Sequence, residues 1–311
     1  MEVIRGMHNL RARHRGCVAT IGNFDGVHRG HRALLEALRA AGRRLGLPVV
    51  VMTFEPQPRE YFRGAEVPAR LTRLREKLVL LERAGVDRVL LLPFNERLAA
   101  LSAREVIDEL LVAGLGVRFL LVGDDFRFGR GRAGDLSLLR EAGARLGFEV
   151  GDLDTQALGD ERISSTRVRR ALADGDLALA ERLLGHRYFI MGRVVYGRRL
   201  GRELGTPTVN IPLKRYRAAL EGVFAVEVEG LGGVHPGVAN IGVRPTVDGR
   251  EPLLEVHLLD WSGDAYGVLL TVTFRARIRE ERRFDSVDAL REQIGRDLVR
   301  ARAFFAEPAP A

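Results

Sequence analysis

A chain of 311 residues, 46% hydrophobic and 29% charged, has the composition of a soluble globular protein and the length for two domains of roughly 150 residues each. Its apolar runs, such as Val89–Leu92 and Phe119–Val122, are strand-sized and exclude a membrane-spanning helix, while the single cysteine, Cys17, excludes an intrachain disulfide and a thiolate metal cluster. The net charge of +8 comes from arginines interleaved with acids, Lys77 and Lys214 being the only lysines, and with 6% aromatics it does not by itself mark a nucleic-acid binder.

The N-terminal Met1-Glu2-Val3-Ile4-Arg5 has no apolar core behind its charges, so no secretory signal and a cytoplasmic location are expected. Strands are predicted at Cys17–Ile21, Val49–Phe54, Arg88–Pro93, Arg118–Val122 and Phe148–Leu153. Between them, apolar residues at three- and four-residue spacing predict helices at Leu34–Leu45, Leu71–Ala84, Ala103–Ala113 and Leu136–Leu146, the third opened by a Ser102-x-x-Glu105 capping box. Such alternation predicts an α/β domain: a parallel sheet with helices on both faces and ligands at the carboxyl ends of its strands. Two short helices, Arg167–Ala173 and Leu177–Leu184, follow, and the pattern changes after Gly185.

Beyond that point the hydrophobic period is two. Phe224, Val226 and Val228 alternate with Ala225, Glu227 and Glu229, and Val268 through Ile278 alternates with Thr271, Thr273, Arg275, Arg277 and Arg279. Half-buried antiparallel strands are expected, with polar residues outside. Further strands are predicted at Phe189–Val195, Gly237–Ile241 and Leu253–Leu259, and a small closed barrel would hide their edges. A helix, Val287–Phe305, follows, and Glu307-Pro308-Ala309-Pro310-Ala311 reads as a loose tail.

The densest motif is Gly22-Asn23-Phe24-Asp25-Gly26-Val27-His28-Arg29-Gly30-His31, between the first strand and the first helix. Its glycines permit a tight turn and close approach to a ligand, and the helix start seats a phosphate. Two histidines three residues apart can both face it; as a metal pair they lack a third ligand at suitable spacing. The stretch resembles the FDGVHxGH form of the HxGH nucleotidyltransferase motif found in FAD synthetases. Three segments match the same family: Thr53 through Phe62, Val122 through Gly129, and Ile163-Ser164-Ser165-Thr166-Arg167-Val168-Arg169. The lysine-rich loop of aminoacyl-tRNA synthetases and the lysine of a P-loop are both absent.

In the second half, Gly197, Gly201 and Gly205 are spaced through a loop able to wrap phosphates, and Thr208 and Asn210 offer oxygens suited to Mg²⁺. On local grounds alone a hairpin with glycine turns and a proline bend is the favoured reading. The run Gly201-Arg202-Glu203-Leu204-Gly205-Thr206-Pro207-Thr208-Val209-Asn210, however, resembles the riboflavin kinase ATP motif. Gly237 through Thr246, Leu254 through Asp260, Tyr266-Gly267 and Gln293-Ile294-x-x-Asp297 are similar to the same family. Two departures lie beside the loop: Thr206 where the family has phenylalanine, and Tyr196 where histidine is common.

Together the resemblances imply a bifunctional riboflavin kinase and FAD synthetase. Residues 1–185 would form a Rossmann-like nucleotidyltransferase domain with a parallel sheet. Residues 186–311 would form the kinase domain, an antiparallel six-stranded β-barrel with a terminal helix. The implied catalytic residues are His28, His31 and Glu255, the last as general base on an alternating strand. Implied ATP-binding residues are Gly22, Asn23, Gly30, Ser164, Ser165, Thr166, Arg167, Gly197, Gly201, Gly205, Thr208 and Asn210, the last two also holding Mg²⁺. Phe62, Asp125, Phe128 and Arg291 are the implied flavin contacts; Phe62 is equally readable as core, whereas Phe128 sits in a loop that reads as polar. Riboflavin, FMN, FAD and ATP are the expected ligands, without nucleic acid or membrane, for a monomer or weak homo-oligomer.

Overall fold

The computed structural model describes residues 1–154, 156–196, 206–246 and 249–307. The chain divides into two compact units, Met1–Val67 with Arg73–Ser164, and Pro68–Thr72 with Ser165–Ala311.

The first unit is built on β1 (Glu2–Arg5), β2 (Cys17–Ile21), β3 (Val49–Phe54), β4 (Arg88–Leu92), β5 (Val117–Gly123) and β6 (Glu149–Leu153). They pair in the order β1-β4-β3-β2-β5-β6, every pairing parallel. Every residue of β2 is buried, as expected of a strand covered on both faces. The chain runs from β2 to β3 on one side and returns to β5 on the other. That reversal opens a crevice at the carboxyl end of β2, where this topology places its ligands.

Helix α1 (Arg29–Leu45) packs on the sheet through Leu35, Leu38 and Ala41, and ends at Gly46 in the left-handed region. It lies close because residue 42 is glycine: a Cβ there would come within 2.9 Å of the Leu47 carbonyl and 3.3 Å of Val18. Helices α2 (Pro58–Arg63), α3 (Leu74–Arg83) and α4 (Glu96–Ala100) precede α5 (Ala103–Glu105). The capping box predicted there is present: Ser102 N–H donates to Glu105 at 2.7 Å, and Glu105 N–H donates to the Ser102 hydroxyl at 3.2 Å. The helix then widens into a π-helix, Val106–Leu115. Next come α6 (Leu136–Leu146) and a small hairpin, β7 (Ala157–Leu158) with β8 (Glu161–Arg162).

The second unit opens with α7 (Ser165–Ala173) and α8 (Leu177–Leu184). Its strands are β9 (Phe189–Arg193), β10 (Val209–Pro212), β11 (Gly222–Glu229), β12 (Val234–Thr246), β13 (Gly249–Leu258) and β14 (Leu269–Arg279). They form an antiparallel six-stranded sheet, β10-β13-β12-β11-β14-β9. The two end strands meet at a bridge where Val195 N–H donates to the Asn210 carbonyl at 2.9 Å, which curls the sheet into a near-barrel. Phe224, Val226, Val228, Leu254, Val256, Leu270, Val272 and Phe274 fill its interior.

The outer face is less polar than the alternation predicts: a register shift in the β11–β14 pairing between Ala225 and Val226 turns Ala276 and Ile278, expected on the inner face, to the side of Ala225. Ala225, Val238, Ala276 and Ile278 lie under Leu298, Ala301, Phe304 and Phe305 of α9 (Val287–Ala306). Small and apolar outward residues are therefore required beneath that helix, and charged ones stand beyond it.

Candidate active sites

The loop after β2 is shaped by its backbone. Phe24, Gly26 and Val27 adopt φ of 48°, 84° and 41°, so two non-glycine residues occupy the left-handed region, a conformation usually retained at functional turns. Their side chains are buried and anchor the loop. His28 caps α1: its Nδ1 accepts the His31 N–H at 3.3 Å. Its ring stacks on His31 with centroids 3.6 Å apart, and Phe24 backs His31 at 5.0 Å. A side chain on Gly30 would press on the His28 ring at 3.3 Å and sit 3.7 Å from the Ile163 carbonyl. The residue preceding Ser164 thus lies against the glycine–histidine loop.

His31 Nδ1 is buried without a hydrogen-bond partner. Desolvation lowers its pKa well below 6.5, with the neighbouring His28 and Lys77 pushing the same way. His31 is therefore neutral near pH 7, an N–H donor with one free nitrogen. Gly22, Asn23, His28, Gly30 and His31 come together at this turn. Ser164 ends the first unit, whereas Ser165, Thr166 and Arg167 open α7 in the second.

Of the flavin candidates, Phe62 is 67% exposed and belongs to an edge-to-face cluster with Tyr61 and Phe94 at the carboxyl end of the sheet. Core packing does not account for it. Phe128 is 8% exposed; the loop that reads as polar in sequence tucks this ring into the first unit's core, stacked on the half-buried Phe126. Asp125 pairs with Arg162 at 2.8 Å, and that hydrogen bond holds its carboxyl below the usual range. Arg291 is exposed on α9 and pairs with Asp288 at 3.2 Å.

In the second unit Glu255 lies opposite Asn210 of β10 on one side and opposite Asn240 of β12 on the other. Directly opposed residues share a face, so the three side chains form a polar row across three strands. Leu254 and Val256 point the other way, into the interior. Asn210 is 7% exposed, and its Oδ1 and that of Asn240 are buried without partners. His257, on the face of Glu255, is engaged with the Pro207 carbonyl at 2.9 Å. Glu281 reaches Gly242, and its carboxyl is raised by desolvation, then by Glu221, with Glu255 adding and Arg279 opposing. Gly197, Gly201 and Gly205 lie outside the described residues. Beside that loop, Tyr196 stacks on Tyr266 at 3.8 Å.

Sequence reasoning passed over Asn240, Thr53 and Lys77 as site residues. Asn240 gains meaning only once the register sets it against Glu255. Lys77 carried a weak signal, as one of two lysines in an arginine-rich chain.

A parallel α/β unit with a histidine-bearing loop at its switch point, joined to an antiparallel near-barrel with a carboxylate between two asparagines, defines a two-unit phosphate-transferring enzyme. Residues 10–167 match the FAD synthetase family model and residues 184–305 the riboflavin kinase model. A bifunctional riboflavin kinase/FMN adenylyltransferase of Escherichia coli K12 is 58% identical over 313 aligned positions, covering 100% of both chains. Its counterpart in Pseudomonas fluorescens is 54% identical over 99% of each. A solved structure described as a macrolide-efflux protein from Streptococcus pneumoniae superposes with a TM-score of 0.81 at 30% identity, covering 97% of this chain and 99% of that one. Among the described residues no helix is long and apolar enough to cross a membrane. The chain belongs to the bifunctional riboflavin kinase/FMN adenylyltransferase family.

Proposed function

We propose that this chain phosphorylates riboflavin with ATP to give FMN, then adenylylates FMN with a second ATP to give FAD and pyrophosphate. In the first step the ribityl hydroxyl attacks the γ-phosphorus, the bond to the β-phosphate oxygen breaks, and ADP leaves. Glu255 takes the hydroxyl proton, and Asn210 and Asn240 flank it. In the second step an FMN phosphate oxygen attacks the α-phosphorus and pyrophosphate departs. No covalent enzyme intermediate is needed, so catalysis rests on positioning and charge stabilisation. His28, His31, Asn23, Ser164 and the amides around Gly22 and Gly30 hold the phosphates. Phe62 is the strongest flavin contact, being exposed and aromatic.

A magnesium ion fits the kinase row. Asn210 Oδ1 is buried and unpartnered, and Thr208 stands two residues away, both hard oxygen donors. Bound with ATP, the ion would neutralise charge at the breaking β–γ bridge. The functional boundary is placed at Gly185, supported by the left-handed cap of α8 there and by the kinase model's start at residue 184. The enzyme is taken to work in the cytoplasm as a monomer or weak homo-oligomer, without nucleic acid or membrane. Local pairing of its arginines, such as Arg302 with Asp260 at 2.6 Å and Arg140 with Asp152 at 2.6 Å, favours that over a phosphate-backbone surface.

One observation carries the proposal: each matched segment holds its own polar constellation, the His28–His31 stack in one and the Asn210–Glu255–Asn240 row in the other. Incubation with riboflavin, Mg²⁺ and ATP, followed by separation of the flavins, should show FMN appearing first and FAD accumulating from it. FMN as the sole product, or FAD formed only from added FMN, would remove one of the two activities.

A further inference from the structure

Among the described residues, Lys77 on α3 is fully buried, at 0% exposure. An ammonium taken out of water is costly and is retained where neighbours compensate it. Its surroundings lead to the glycine–histidine loop. Lys77 Nζ lies 3.4 Å from Thr53 Oγ1 at the end of β3, and Thr53 Oγ1 lies 3.5 Å from the Asn23 carbonyl at the root of the loop. The direction of this relay follows from its chemistry. An ammonium only donates, so the Thr53 oxygen accepts from Lys77 and turns its own proton toward the Asn23 carbonyl. Lys77 also acts electrostatically on His31, so its charge is felt at the site.

We propose that Lys77 is a positioning residue of the adenylyl-transfer site, fixing the root of the phosphate loop through Thr53 and presenting a fixed positive charge to the ATP phosphates from behind it. The proposal rests on reading the glycine–histidine loop as the adenylyl-transfer site. A buried cation suits this work because charge in a water-poor environment is weakly screened and needs no reorganisation as pyrophosphate leaves. It also adds to what keeps His31 neutral in the free enzyme: burial comes first, then the stacked His28, then Lys77, all opposing a charge on that ring. A core role is the alternative, since the adjacent Glu76 is equally buried and accepts the Arg73 N–H at 2.5 Å.

The test compares Lys77→Met, Thr53→Val and His31→Ala in the full chain, measuring FAD formation from FMN and ATP against pH, with riboflavin phosphorylation as the internal control. Lys77→Met keeps length and apolar bulk but removes the charge. Its kcat for adenylyl transfer should fall on the order of 10- to 100-fold, as for loss of alignment remote from the chemistry. The acid limb of its pH profile should move to higher pH, because one of the causes holding His31 neutral has gone. Thr53→Val should lower kcat about tenfold and leave the acid limb in place, since the charge remains. A folded Lys77→Met enzyme with parent kcat and parent acid limb overturns the inference. Should Lys77→Met not fold, Thr53→Val decides, and parent kcat there overturns it equally. Undiminished FAD formation by His31→Ala would instead remove the underlying site assignment.

Discussion

His31 joins an unpartnered buried nitrogen to a neutral ring, on the first turn of the helix that follows the glycine-rich loop. Its replacement by alanine should therefore reduce adenylyl transfer by roughly 10²–10³, the usual cost of a preorganised donor, while phosphorylation continues and FMN accumulates. Arg29→Ala, at an exposed neighbouring position, serves as control and should change neither rate. The lowered pKa also fixes a sign for stability. The unfolded chain protonates this ring more readily than the folded one, so the contribution is present above pH 6.5 and lost as pH falls through the folded value. Unfolding midpoints should drop more steeply below pH 6.5 in the parent than in His31→Gln. Both histidines were legible in the sequence because their motif is contiguous. Lys77 and Thr53 were not, because they reach the loop from α3 and β3. Phe128 misled for a related reason: Arg127 and Gly129 make its loop look polar, while the fold turns the ring inward.

Secondary-structure elements set what each residue can face, and Glu255 depends on this most. A one-residue slip of β13 would carry it into the barrel interior and bring Leu254 and Val256 out, so the register is enforced by burial of those two residues. Glu255→Gln preserves shape and should fold. If Glu255 is the proton acceptor, riboflavin phosphorylation falls about 10²–10⁴-fold while FAD formation from supplied FMN stays near the parent rate. Retention of the parent kinase rate in the folded variant would remove the assignment. The Ser102–Glu105 box offers a purely structural counterpart. Ser102→Ala should cost roughly 0.5–2 kcal/mol in denaturant titration and spare both activities. That cap was legible, as were the long apolar strands and most helices. The four-residue strands β1 and β10 were not, since they take their definition from neighbours rather than from a hydrophobic run. The π-helix carries a helical sequence pattern, and only its hydrogen bonding distinguishes it.

The whole molecule raises the question of where one catalyst ends and the next begins. Residues 186–311 hold the near-barrel, α9 and the Asn210–Glu255–Asn240 row, so this fragment should fold alone and phosphorylate riboflavin. It should also be less stable than residues 165–311. The longer fragment keeps α8 against β14 and the bond from Arg277 to the Asp174 carbonyl at 3.2 Å. Both fragments lack the segment 68–72, and Arg215 shows what that removes. This 9% exposed guanidinium donates to the carbonyls of Arg70 at 3.0 Å and Leu71 at 3.3 Å, besides the Tyr188 hydroxyl at 3.0 Å. Losing acceptors for a buried charged donor costs about 1–3 kcal/mol, so each fragment should unfold at lower denaturant than the same unit does within the full chain. Kinase assays and denaturant titrations of the two fragments test this together. An unfolded short fragment beside a folded, active long one would move the boundary to Ser164, where the compact units part. If both fold and neither phosphorylates riboflavin, the kinase is not an independent catalyst.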